Sequence, residues 1–352
     1  MIKFASKSFA INLLAEIGIL KNSFLALLFI LFFSAAGAFS QGVVSPTPSP
    51  APSPSVKPED EEIRIDTELV NINVRVVDRN NRPINTLQKG DFQVLEDGVP
   101  QKIEFFSKAE VPTEYTLVVD NSGSLRRQIE EVIDAGKTMI SANRPDDRTS
   151  LIRFVSRDKI DILLDFTNNR QDLFDALENM YIEGGQTAII DAVYLAVERA
   201  NQIAAKSKSE DRTRRAIVLI TDGEDRASYY NEKQLEDLLK ESDVQIFVIG
   251  FVNDLSSERG FITKSPQAKA KSFLQNLATV TGGKAYFPND VSELQQIAKD
   301  ISSELRTQYS IGYIPSNERK DGSFRNIKVV VADGPKGEKR IAITKVGRVA
   351  GN

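Results

Sequence analysis

The chain has 352 residues, 41% of them hydrophobic and 27% charged, a balance that suits about two globular domains. A net charge of −4 gives no general attraction to nucleic acid or to an anionic membrane surface. Cysteine and histidine are both absent, which excludes disulfides, thiolate or imidazole metal sites, cysteine nucleophiles and Ser-His-Asp triads. Any bound metal must be held by oxygen alone, as Mg²⁺, Mn²⁺ or Ca²⁺ can be.

Lys3, Lys7 and Lys21 lie ahead of the apolar run at 24–33 (FLALLFILFF), and the small residues of SAAGAFSQG follow it. This pattern predicts a signal peptide over residues 1–40, cleaved after Ala38 or Ser40. The alternative is a retained N-terminal anchor, because the uncharged stretch at 22–42 is just long enough to span a bilayer when tilted. Either reading predicts export, to the periplasm, the cell surface or the medium, with membrane contact only through this segment. Residues 41–62 alternate proline and serine and end in an acidic run, with no apolar face to bury. They read as an extended, disordered linker.

Residues 63–110 read as β. Val70, Ile72, Val74 and Val76 alternate with other residues as in a half-buried strand, and turn signals follow at Asn80-Asn81 and Arg82-Pro83. DFQVLEDGVPQKIEFF then reads as a hairpin about an Asp97-Gly98 turn. From Glu114 strands and helices alternate. Strands are predicted at 115–119, 150–155, 160–166, 216–221, 244–251 and 284–287, with a tight turn over 156–159. Helices are predicted at 126–141, 172–181, 188–204, 232–242, 268–280 (stopped by Gly282-Gly283) and 291–308. LVV, IVLI and IFVIG are apolar on both faces, as central strands of a helix-covered parallel sheet should be. The expectation is a doubly wound, mostly parallel α/β domain at 111–307 with its ligand site at the carboxyl ends of the strands. After Gln308 the pattern returns to β, in YSIGYIP, FRNIKVVVAD and RIAITKV. Two or three strands rarely stand alone. The segments 63–110 and 308–348 are therefore expected to share one sandwich-like β domain, with two separate β additions as the alternative.

Three short pieces fall at or near the carboxyl ends of predicted strands: VVDNSGS with Asp120, Ser122 and Ser124, GGQTAIIDA with Thr187, and LITDGED with Asp222. In D-x-S-x-S the side chains at alternate positions converge as a loop turns into a helix. Two hydroxyls and few charges make a hard, oxygen-only site that suits a divalent cation retaining some water. Thr187 adds a third hydroxyl, directly or in a second state, and Asp120 and Asp222 supply the anionic balance. With no sixth protein ligand assigned, a place is left for an incoming carboxylate.

Asp120, Ser122, Ser124, Thr187 and Asp222 together resemble the metal-ion-dependent adhesion site of von Willebrand factor A and integrin I-type domains. The resemblance covers about residues 113–305, and DDRTSLIRF and LATVTGGKAYFP are similar to further parts of that family. DFQVLEDGVPQKIEFF and QYSIGYIP resemble a bacterial subgroup of exported A-domain proteins. Leu125 stands where Met is frequent, and Gln186 separates Gly185 from Thr187. The resemblance implies a Rossmann-like sheet and Mg²⁺ (or Mn²⁺) at its rim. It further implies a non-enzymatic adhesion or scaffold module that binds a protein ligand through an acidic side chain, and a final helix able to shift between affinity states.

Blander readings stand beside these. Asp and Ser favour helix starts, so Asp120, Ser122 and Ser124 taken alone read as caps. Asp225 reads as a surface-turn carboxylate and Asp191 as a helix-dipole residue, each with a role supporting the metal ligands as the alternative; Gly184-Gly185 read as turn formers rather than a phosphate cradle, Asp146-Asp147 as a turn, and 210–215 as a solvated loop or a partner rim. A Mg²⁺-dependent phosphoryl-transfer enzyme with Asp120 as nucleophile is the enzymatic alternative. It wants an acid/base group at position 122 and a strand-end lysine, and the sequence has Ser122 and no such lysine. A structural envelope protein with a vestigial site is the third class.

Overall fold

The computed structural model describes residues 69–206, 213–258 and 264–351. The expected signal peptide, the linker and part of the charged loop at 207–212 lie outside the described residues. Among the described residues no helix is long and apolar enough to cross a membrane.

In chain order the first elements are β1 (Val70–Val77), β2 (Phe92–Glu96), β3 (Val99–Gln101) and β4 (Ile103–Ser107). Asp97 and Gly98 both have positive φ, 49° and 82°, the backbone that a tight two-residue hairpin turn requires. The strand expected after this turn is broken at Lys102. β3 pairs with β2 in one sheet, whereas β4 crosses into another.

The α/β unit follows as β5 (Thr113–Asp120), α1 (Ile129–Ser141), β6 (Arg148–Phe154), β7 (Ile160–Thr167), α2 (Arg170–Glu178) and α3 (Ile189–Lys206). It continues through β8 (Arg214–Thr221), α4 (Glu232–Glu241), β9 (Gln245–Gly250), α5 (Pro266–Thr281), β10 (Ala285–Tyr286) and α6 (Leu294–Arg306). The sheet order is β10-β9-β8-β5-β6-β7. All neighbours are parallel except β6 and β7, which the short turn at 156–159 makes antiparallel. Every residue of β5 and of β9 is buried, the polar Thr113, Glu114, Thr116, Asp120 and Gln245 included, as in central strands covered on both faces. α1, α2 and α6 cover one face; α3, α4 and α5 cover the other. β5 lies between β6 and β8, so the strand order reverses there, and the crevice at its carboxyl end is where such sheets bind ligands.

The chain closes with β11 (Tyr309–Tyr313), β12 (Phe324–Val331), β13 (Ile341–Ile343) and β14 (Gly347–Val349), the last of which has no counterpart among the predicted strands. These interleave with the first four strands in two antiparallel sheets, β13-β1-β11-β4 and β14-β12-β2-β3. One core joins the two segments that flank the α/β unit, with Ile72, Val74, Phe92 and Val94 packed with Tyr309, Ile311 and Val329. The observed fold class is the expected one, an α/β sheet with a sandwich-like β addition from the flanking segments.

Where the two parts meet, Glu304 of α6 is 7% exposed and holds three donors. Arg75 of β1 donates to its Oε2 at 2.5 Å, and Lys284 and Tyr286 donate to Oε1 at 2.8 and 3.1 Å. Arg75 is itself 3% exposed, so its charge has exchanged water for this one carboxylate. Removing one partner of a buried ion pair leaves the other uncompensated. Glu304→Ala is therefore expected to cost about 3–5 kcal/mol, read as a fall in the denaturant midpoint. A midpoint that does not move would show that the pair contributes nothing.

Candidate functional site

The site begins where β5 ends. Asp120 closes that strand and is 0% exposed; its Oδ1 accepts from the Ser122 amide at 2.9 Å and its Oδ2 from the Thr221 hydroxyl at 2.7 Å. Burial pushes its carboxyl up to about 6, hydrogen bonds from Ser122 and Thr221 oppose that, and the charge of Asp222 adds to it. The carboxylate thus sits where added positive charge is favoured.

The following loop is anchored by Asn121. Its amide donates to Phe154 O at 2.8 Å, its carbonyl accepts from Glu183 N at 2.9 Å, and its side-chain amide donates to Tyr181 O at 2.7 Å. Ser122 and Ser124 then bring their hydroxyl oxygens within 2.7 Å of each other. A 3-10 turn over Gly123–Arg127 buries Leu125 and hands the chain to α1, which starts three residues later than predicted.

Asp222 follows β8 directly, is 5% exposed, and accepts from Glu224 N at 3.0 Å. The next residue needs glycine: Gly223 has φ +88°, and a Cβ there would lie 2.8 Å from Leu274 Cδ1. Thr187, 4% exposed, precedes α3. Its carbonyl accepts from Arg226 N at 2.8 Å and Ala227 N at 3.1 Å, which ties it to the Asp222 loop. Among the described residues no hydrogen bond joins its hydroxyl to the other four candidates; its backbone holds it in the network. Gly185 shapes the approach, since a Cβ there would meet Val155 Cγ1 at 2.4 Å.

Two carboxylates read as bland prove to be brackets between loops. Asp225 is half-buried and accepts from Ile190 N at 3.1 Å and from the Ser228 hydroxyl at 2.6 Å, so it is no simple surface-turn residue. Asp191, 8% exposed, accepts from Tyr229 N at 2.8 Å and Tyr230 N at 2.9 Å, which goes beyond a dipole role. The Asp146-Asp147 turn lies at the other end of the sheet, where Asp147 accepts from Thr113 N at 2.8 Å. Thr221 was missed by sequence reading, where it passed as the last strand residue; its place immediately before Asp222 was the available signal.

The structure brings Asp120, Ser122, Ser124 and Asp222 to one crevice, with Ser124 and Asp222 lining a cleft of about 560 Å³ together with Arg126, Arg127, Arg226 and Phe251. Among the described residues no group of three or more carboxylates forms a metal site, so a cation here would need the hydroxyls as well as Asp120 and Asp222. Two hydroxyls in contact beside a buried carboxylate, with a second carboxylate acting on it, fit a hard divalent cation.

A family model for the von Willebrand factor type A domain matches residues 116–300. The chain belongs to that family. Domains of this kind are typically metal-dependent adhesion or protein-interaction modules, generally not enzymes, and commonly bind a divalent cation at this position. An uncharacterized protein of Synechocystis sp. is 39% identical over 115 residues, which cover 32% of this chain and 26% of that protein. The match thus spans about a quarter of that relative's length. Among solved structures, the von Willebrand factor type A protein of Catenulispora acidiphila has a TM-score of 0.44 at 12% identity, covering 80% of this chain and 74% of that one. An aerotolerance-related membrane protein from Bacteroides fragilis has a TM-score of 0.41 at 19% identity, with 55% and 98% covered. Proximal thread matrix protein 1 of the mussel byssus, with a zinc-occupied adhesion motif, has a TM-score of 0.44 at 19% identity, with 56% and 48% covered.

Thr221→Val tests the clasp on Asp120. It keeps the shape of the side chain but removes the 2.7 Å donor and the acceptor for Gly223 N. A loss of about 1–3 kcal/mol in metal-free stability is expected from hydrogen bonds to a charged, buried group, measured by chemical denaturation in EDTA.

Proposed function

We propose that residues 111–307, inserted in an accessory β domain made from 63–110 and 308–348, form a metal-dependent protein-binding module of the cell envelope. Asp120, Ser122, Ser124, Thr187 and Asp222 would hold the cation, Mg²⁺ in first place, with Mn²⁺ or Ca²⁺ within the same oxygen chemistry. The cation supplies an electrophilic centre whose remaining position a partner's Asp or Glu carboxylate can fill. The observation that carries the reading is the contact of the Ser122 and Ser124 hydroxyls, 2.7 Å apart, beside the buried Asp120. Asp120 is shielded from solvent and accepts a hydrogen bond at each oxygen, which favours a positioning role over attack on a substrate. Export, to the periplasm, the surface or the medium, is proposed from the lysine-flanked apolar run at 24–33. The bacterial exported A-domain subgroup is the proposed relationship.

Calorimetric titration tests the site. The protein is expected to release or absorb heat with Mg²⁺ or Mn²⁺. At a hundredfold excess over the dissociation constant it should gain about 2.7 kcal/mol of stability. Asp120→Asn and Ser122→Ala should lose both signals and keep the folded circular-dichroism spectrum. Asparagine is chosen because Asp120 ends a packed strand, and alanine there would strand the Thr221 hydroxyl and the Ser122 amide. Neither heat nor thermal shift in the parent protein would support a vestigial site instead.

A further inference from the structure

The parts of the rim that the metal reading leaves unused share a chemical character. Arg126 and Arg127 end the Gly123–Arg127 turn, are exposed, and line the cleft of about 560 Å³ beside Ser124 and Asp222. Among the described residues neither side chain forms an ion pair or a hydrogen bond. Other arginines near the site are committed: Arg226 to Glu224, and Arg153 to Asp161 at 2.9 Å. The carboxylate of Asp254 lies in the same cleft and accepts from Gln128 at 3.3 Å. Two adjacent guanidinium groups that form no ion pair among the described residues, on a chain of net charge −4, stand next to the proposed point of carboxylate capture.

Aromatic exposure marks the loops tied to the site. Of the exposed large hydrophobic residues described, Tyr229 at 76% and Tyr181 at 56% are the two most exposed. Both lie on loops that the site itself holds: Asn121 donates to Tyr181 O, and Tyr229 N donates to Asp191. Arg153 stacks over the Tyr181 ring at 4.6 Å from its centroid. Tyrosine and arginine are the side chains that carry most energy in protein interfaces, because they offer large contact area with a polar or charged tip.

We infer that this rim docks an extended acidic segment of a partner protein, in which a second carboxylate, two residues from the one that completes the site, is held by Arg126 and Arg127. In an extended chain, alternate residues face the same side about 7 Å apart, so an acid-x-acid spacing presents both groups to one surface. Guanidinium groups are suited to the second acid because they bind carboxylates through paired N–H donors. This rests on the metal-dependent reading above.

The test uses two fluorescein-labelled peptides, one with the central sequence Asp-Gly-Glu between glycines and one with Asp-Gly-Gln. Affinities are measured by anisotropy in Mg²⁺ at low salt, with the parent protein and with Arg126→Gln/Arg127→Gln. The two-acid peptide is expected to bind the parent about tenfold more tightly. In the double variant that preference should fall below about twofold, while Mg²⁺ affinity from calorimetry is not weakened. Equal affinity of the parent for the two peptides, or a preference that survives in the double variant, overturns the assignment of the arginines. If EDTA still abolishes binding in that case, the metal reading stands. Binding that ignores EDTA defeats the metal reading and this inference with it; no binding of either peptide by a protein that gives calorimetric heat with Mg²⁺ defeats this inference and leaves cation binding standing.

Discussion

A carboxylate with no access to water sits at the end of the central strand, and the arrangement of the site is organised around it. Asp120 gives up hydration for one amide and one hydroxyl, those of Ser122 and Thr221. Those two donors come from the loop after β5 and from the last residue of β8, the neighbouring strands between which the crevice opens. The same hydrogen bonds that make the burial tolerable therefore fix the spacing of the two loops. Burial and the nearby Asp222 leave the carboxylate short of positive charge, which is the electrostatic condition a divalent cation relieves. Folding and ligand capacity draw on one interaction here.

The loops are held from outside as well. Asp225 and Asp191, with Ser228 between them, join the start of α3 to the segment after β8, and the Thr187 carbonyl closes the same circuit. Asn121 does the equivalent on the other side, spanning the end of β6 and the segment at 181–183. Few of these contacts involve a candidate ligand's own side chain. Ligands on loops keep their geometry only if a surrounding shell restrains the backbone. The exposed Tyr181 and Tyr229 ride on those restrained segments.

The features legible in the sequence were those with local causes. LVV, IVLI and IFVIG read as buried parallel strands because apolar residues on both faces suit a helix-covered sheet, and β5, β8 and β9 are those strands. Asp97-Gly98 read as a turn because its backbone strain is a property of two residues. The five candidate ligands read as a set because their residue types and order are distinctive, though the place of the Thr187 hydroxyl was not fixed by them. What escaped depends on partners far away in the chain. The split at Lys102 arises because β3 and β4 answer to strands in different sheets, β2 and β11. β14 is three residues long and owes its pairing to β12. Asp225 and Asp191 looked like ordinary helix-start and turn residues because their acceptor roles involve amides more than thirty positions away.

The insertion of the α/β unit between two halves of a β domain has a directional consequence. The chain enters the sheet at Thr113, the start of β5, and leaves it after Arg306, the end of α6, where the Leu305 carbonyl accepts from Arg214 at the start of β8. Both junctions thus lie at the amino-terminal edge of the sheet, while Asp120 lies at the carboxyl-terminal end of β5. Eight residues of strand put roughly 25 Å between the two edges. The β domain therefore attaches away from the crevice. Its contact with α6, through Arg75 and the buried Glu304, still reaches a helix that packs on α1, the helix into which the Ser122–Ser124 loop runs. A change in how the β domain seats on Glu304 would have one packed layer to cross before it reached the site.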